Sequence, residues 1–91
     1  MKMKKLVKFE QPGCAPCAMV SNYLKEELHV PHESIDVTVH PEFAAHYELA
    51  SVPTVLLLEV GKQEDVIGEE LGRSIKFNPE ELDELVAKLR G

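Results

Sequence analysis

Cys14 and Cys17 are the residues of this sequence whose type and spacing most directly spell out a reaction. Two thiols separated only by Ala15 and Pro16 can be joined into a disulfide and reopened, a change that carries two electrons. The attacking species in such an exchange is a thiolate. Cys14 falls where a strand pattern hands over to a helical one, so it faces the unpaired N–H groups and the positive dipole end of the helix, which favour a thiolate. Cys14 is therefore expected to attack, and Cys17, one turn further on, to displace the mixed disulfide. A purely structural bridge is a poor use of this pair, because closing so short a loop removes little entropy from the unfolded chain.

Zinc is the sharpest competing use, since Cys14-x2-Cys17-x11-His29-x2-His32 approaches a zinc-finger spacing. Geometry argues against it. With residues 15–28 helical, His29 lies about 18 Å along the axis from Cys17, whereas zinc bonds to sulfur and nitrogen span about 2.0–2.3 Å. Pro31 also breaks the helix that a finger would use to present its histidines. Neither metal nor cofactor is expected, and His29, His32, His40 and His46 are read as surface or capping groups without a chemical role.

The elements that must hold the cysteines follow from periodicity. Lys4 to Glu10 reads as a strand with Val7 and Phe9 on one face and Leu6 on the other, ending at Gln11-Pro12-Gly13. Cys17, Val20 or Ser21, Leu24 and Leu28 then share one helical stripe over Ala15 to about Leu28, with Pro16 tolerated only in the first turn. Ile35, Val37 and Val39 alternate, predicting a second strand from Ser34 to Val39. His40-Pro41 opens a short helix to about Leu49 with Phe43, Ala44, Tyr47 and Ala50 on its apolar side. Val55 to Val60 is a nearly unbroken apolar run, suited to a central strand covered on both faces. Glu64 to Gly68 is expected to pair back after Gly61-Lys62 as an edge strand. Asn78-Pro79-Glu80-Glu81 supplies a cap, a first-turn proline and a capping-box glutamate for a last helix to about Arg90, with Leu82, Leu85, Val86 and Leu89 buried. Residues 69–77 fit several local structures. The expected fold is α/β, in the order β-α-β-α-β-β-α, with a four-stranded mixed sheet and helices on both faces.

Composition narrows the function classes. At 91 residues the chain fits one domain, residues 1–91, which buries only about 60–65% of its unfolded surface. Sixteen acidic against ten basic side chains give a net charge of -6, spread along the chain, which disfavours nucleic acid as a partner. No stretch reaches the roughly 18 to 20 apolar residues of a membrane span. The basic opening Met1-Lys2-Met3-Lys4-Lys5 is followed by too little apolar sequence for an export signal, so a cytoplasmic setting is expected, and a membrane is not an expected partner. Thiols stay reduced there, in keeping with a working pair.

The second constellation is Ser51-Val52-Pro53-Thr54, just before the apolar strand. Taken with the strand ending in Cys-x-Pro-Cys, the helix after it, and Ile35-Asp36-Val37 running toward His40-Pro41-Glu42, it makes nearly the whole chain resemble a thioredoxin. That resemblance implies a cis bond before Pro53, packed beside the cysteine pair; the alternative is a trans proline at a strand edge. It further implies that substrate peptides pair with the backbone of Val52 and lie over the surface around Cys14, which Ala15 and Pro16 help to form. The implied activity is reduction of disulfide-containing protein substrates, with electrons drawn from a thioredoxin reductase or similar flavoprotein, by a monomer. A glutathione-dependent glutaredoxin-like enzyme and a non-catalytic binding module of the same fold are the alternatives. Against the first, the Cys-Pro-Tyr-Cys and Gly-Gly usual in glutaredoxins are replaced by Cys14-Ala15-Pro16-Cys17 and a single Gly68.

Three positions depart from the thioredoxin pattern. Gly13 stands where the family usually has tryptophan, Ala15 where it has glycine, and Lys8 where it has a buried aspartate that handles protons near the second cysteine. Lys8 is read as a solvated lysine; the competing reading turns its ammonium toward Cys17 and lowers the thiol pKa by its charge. Glu10 is a candidate proton relay.

Overall fold

The computed structural model describes residues 2–91. Four strands, β1 (Met3–Glu10), β2 (Glu33–Asp36), β3 (Thr54–Val60) and β4 (Glu69–Ile75), form one sheet in the order β2-β1-β3-β4. β1 and β2 run parallel, while β1–β3 and β3–β4 are antiparallel. Three α-helices, α1 (Ala15–Asn22), α2 (Pro41–His46) and α3 (Pro79–Arg90), complete the expected mixed-sheet architecture.

Alternation along β1 divides the core in two. Leu6 packs with Val20 and Leu24 of the first helical segment and with Leu82, Leu85 and Val86 of α3. Val7 and Phe9 point the other way, to Ile35 and Tyr47. β3 feeds both layers: Val55 and Leu57 join the first, Leu56 and Leu58 the second, and all four are fully buried. Each such leucine contributes about 1.5–3 kcal/mol through burial, which is why a strand with no polar face is stable only at the centre of the sheet.

Several boundaries differ from the sequence expectation, each for a local reason. The helix after the cysteines does reach Glu27, but its last part, Tyr23–Glu27, is π-helical, closed by the Leu28 N–H donating to Tyr23 O at 3.0 Å. β2 stops at Asp36 instead of Val39 because the Asp36 carboxylate accepts from the Thr38 N–H at 2.8 Å and from its hydroxyl at 2.6 Å, curling the chain out of the ladder. Val39 is consequently exposed. α2 ends at His46, and Ala50 is exposed, not on an apolar face.

The edge strand lies at Glu69–Ile75, not at Glu64–Gly68. Residues 62–65 are committed to a turn of their own, in which the Asp65 N–H donates to Lys62 O at 3.1 Å and Asp65 Oδ2 accepts from the Lys62 N–H at 3.1 Å. The stretch without a clear sequence pattern is therefore the one that pairs with β3. Asn78 caps α3 as expected, its Oδ1 accepting from the Glu81 N–H at 3.2 Å. The reciprocal half of the box is diverted, since the Glu81 carboxylate accepts from the Ile75 N–H at 3.1 Å. Among the described residues no helix is long and apolar enough to cross a membrane.

Candidate active site

β1 ends at Glu10, and Gln11-Pro12-Gly13 turns the chain toward α1. Gly13 takes φ of 71°, a conformation that side chains rarely adopt. This delivers Cys14 as the extended residue that caps α1, with Sγ accepting from the Cys17 N–H at 3.2 Å. Pro16 sits in the first helical turn, where it removes no intrahelical bond. The two sulfurs are joined as a disulfide, with Cα atoms 5.2 Å apart. Their surroundings differ: Cys14 is half-buried, whereas Cys17 is only 3% exposed beneath it. An incoming group can reach the outer sulfur and not the inner one.

β3 begins opposite Phe9, so the residues just before it lie at the same end of the sheet as the cysteine turn. The Val52–Pro53 peptide is cis, as the resemblance implied. Pro53 is buried and Val52 half-buried, while Ala15 and Pro16 are exposed at the head of α1. The Thr54 hydroxyl donates to Ser51 O at 2.8 Å and the Lys76 N–H to Pro53 O at 2.7 Å, tying this segment to the start of β3 and the end of β4.

Lys8 is not the solvated lysine that its type suggested. It shares the parity of Leu6, faces the first helix and is 3% exposed. Its ammonium donates to Cys17 O at 3.2 Å and to the Ser21 hydroxyl, and pairs with Glu10 Oε1 at 2.6 Å. His32 also enters the site's surroundings, with Nε2 3.0 Å from Ser21 Oγ. Burial, and next the positive charge of Lys8, hold the imidazole below its ordinary 6.5, with Glu10 opposing. The sequence pattern places Ser21 as an alternative on the Cys17 stripe without giving it a role, and it gives His32 none. Ser21, one helical turn after Cys17, was detectable by spacing, whereas His32 arrives through the chain reversal after the π-helical turn, which no local pattern announces.

Comparison with known proteins gives one answer. The thioredoxin family profile matches residues 1–81. The SPbeta prophage-derived thioredoxin-like protein YosR of Bacillus subtilis is 48% identical over 86 residues, covering 94% of this chain and 99% of that protein. This chain belongs to the thioredoxin family. Thioredoxin of Staphylococcus aureus is 33% identical over 82 residues, covering 84% of this chain and 71% of that one. Among solved structures, mitochondrial thioredoxin 3 of Saccharomyces cerevisiae in its oxidized form superposes with a TM-score of 0.73 at 28% identity, covering 94% of this chain and 78% of that chain.

Family membership and the bonded Cys14–Cys17 pair together support thiol–disulfide oxidoreductase chemistry. Against the family pattern, Gly13 leaves open space where a tryptophan is usual, with nothing within 4 Å of where a Cβ would stand. Lys8 puts a cation where the family keeps a carboxylate.

Proposed function

We propose that the protein reduces disulfides of other proteins by dithiol–disulfide exchange, with Cys14 attacking and Cys17 resolving. The observation that carries this reading is the asymmetry of the pair: a half-buried Cys14 at the head of a helix, its sulfur facing an N–H, over a Cys17 that solvent scarcely reaches. In the reduced protein the Cys14 thiolate attacks one sulfur of the substrate disulfide, and the other sulfur leaves with the electron pair and takes a proton from water. Cys17 then attacks Cys14, its bond to Cys14 forming as the bond from Cys14 to substrate breaks. Two electrons have passed to the substrate and the pair is oxidised.

The reading places the substrate chain over Ala15 and Pro16 and along the backbone of Val52 beside Pro53, all at one end of the sheet. It takes residues 1–91 as one working domain, acting as a cytoplasmic monomer that is recharged by a flavoprotein of the thioredoxin reductase type. Insulin supplies the test. The oxidised chain should accelerate insulin precipitation by dithiothreitol, and Cys14→Ser should abolish the acceleration. Cys17→Ser should hold captured proteins at Cys14 as stable mixed disulfides, a reductase among them. A wild-type protein without effect on insulin removes the reductase reading and leaves the binding module of the same fold.

A further inference from the structure

Exchange between Cys14 and Cys17, as described, makes no use of the most unusual buried group in the molecule. Lys8 lies on a core-facing position of the central strand, and its ammonium meets three acceptors: Cys17 O at 3.2 Å, Ser21 Oγ, and Glu10 Oε1 at 2.6 Å. An ammonium has three hydrogens and no lone pair, so this cradle satisfies it completely. The cradle is also directional. Lys8 can only donate to Ser21, which leaves the Ser21 hydroxyl a second lone pair and one hydrogen with which to meet His32 Nε2 at 3.0 Å.

One bond of the cradle ends on Cys17 itself, which places a buried positive charge within the span of the residue that bears the inner sulfur. The charged and titratable groups meeting there among the described residues are Lys8 and Glu10 from β1, His32 from the segment before β2, Cys14 at the cap of α1 and Cys17 within it. Burial and the Lys8 charge both disfavour the charged form of His32, with Glu10 opposing. The Glu10 side chain is 32% exposed against 4% for Lys8, so solvent screens the carboxylate more than the cation. Lys8 is thus the more buried member of its ion pair, and it lies against the backbone of Cys17.

We propose that Lys8 is a positioning residue for the redox pair, its ammonium holding Cys17 as a thiolate once Cys14 is bonded to substrate in the mixed disulfide, with Ser21 helping to fix the ammonium in place. Cys17 gives its proton to water before the resolving step. Its sulfur then attacks Cys14 as an anion, the Cys14–substrate bond breaks, and the electron pair leaves on the substrate sulfur. A carboxylate at this position would wait to take that proton; a lysine removes the need. The purpose assigned to the charge rests on the exchange reading above, but the charge effect itself does not.

The test is a titration of the full-length chain carrying Cys14→Ser, so that Cys17 is the one remaining thiol, followed by the ultraviolet absorbance of the thiolate. Lys8→Met should raise the midpoint by about one unit or more. Lys8→Arg should return it to the parent value, and Ser21→Ala should raise it by less than Lys8→Met does. Lys5→Met, removing a lysine that is also buried but sits toward the other end of β1, should leave it unmoved. A folded Lys8→Met protein whose midpoint stays or falls overturns the proposal. Should Lys8→Met not fold, an unmoved midpoint in Ser21→Ala overturns it instead. No substrate takes part, so a shifted midpoint in a protein inert toward insulin would sink the reductase reading and leave the role of Lys8 standing.

Discussion

The two ends of the sheet both bury polar groups, and they use them differently. At the cysteine end, Lys8, Glu10, Ser21 and His32 form one connected chain that ends on Cys17. At the far end, the polar groups tie separate elements together. Lys5, 6% exposed, donates to Glu33 Oε1 at 2.8 Å and to Gln63 O at 2.7 Å, joining β1 to β2 and to the turn before β4. The Tyr47 hydroxyl donates to Val66 O at 2.6 Å and accepts from the Gly68 N–H at 3.2 Å, fastening the same connection to the end of α2. Two lysines on one strand, nearly equal in burial, are thus separable by what their partners do: those of Lys5 hold the connection down, those of Lys8 gather at the backbone carbonyl of Cys17.

Substitutions at the far end should therefore change stability and leave the redox pair alone. The largest effect is expected at Gly68, where an added Cβ would collide with the carbonyl oxygen of Glu59 and lie 2.7 Å from Val60 Cγ1. Backbone cannot rotate away as a side chain can, so Gly68→Ala should cost about 3 kcal/mol, toward the upper end for an overpacked site. Urea unfolding of the oxidised protein would measure it, and the thiol titration midpoint of the variant should match that of the parent. A midpoint that moves with stability would show that the two ends are not independent. Tyr47→Phe is milder. It keeps the ring against Phe9, at 6.0 Å between centroids, but strands the Val66 carbonyl and the Gly68 N–H. A loss of about 1–2 kcal/mol follows, read in the same unfolding experiment, again without effect on the thiols.

The same contrast governs what was legible in the sequence. The cysteine turn, the apolar β3 and the cap of α3 could be read because each is fixed by neighbours in the chain: Pro16 by the first helical turn, Val55 to Leu58 by continuous burial, Asn78 by Pro79 and Glu81. The position of β4 could not. Glu69 and Glu70 begin it, Gly72 sits within it, and its register with β3 shifts between Leu57 and Leu58, so neither alternation nor composition marks it. The burial of Lys8 is illegible for a different reason. Parity with Leu6 puts it under a helix, but no local pattern shows that Cys17 O, Ser21 Oγ and Glu10 Oε1 converge on its ammonium and make its burial tolerable. A buried cation becomes readable only when all three acceptors are known.

The smallest effects are in the response to pH, and there the two ends should answer on opposite sides of neutrality. At the cysteine end, His32 is held below 6.5, first by burial and then by Lys8. As pH falls below 6.5 the unfolded chain takes up that proton before the native state does, so the unfolded state binds more protons and stability declines. At the far end, burial raises the Tyr47 hydroxyl above its ordinary 10.0, with Glu70 adding to the rise and the Gly68 N–H opposing it. Above pH 10.0 the unfolded chain loses the phenol proton first, the native state then holds more protons, and stability declines as pH rises. Other groups add slopes of their own, so the informative quantity is the difference between parent and variant. His32→Gln should flatten the acid limb alone and Tyr47→Phe the alkaline limb alone, in urea midpoints measured across pH. If His32→Gln leaves the acid limb unchanged, burial and Lys8 do not hold the imidazole below 6.5 in the native state.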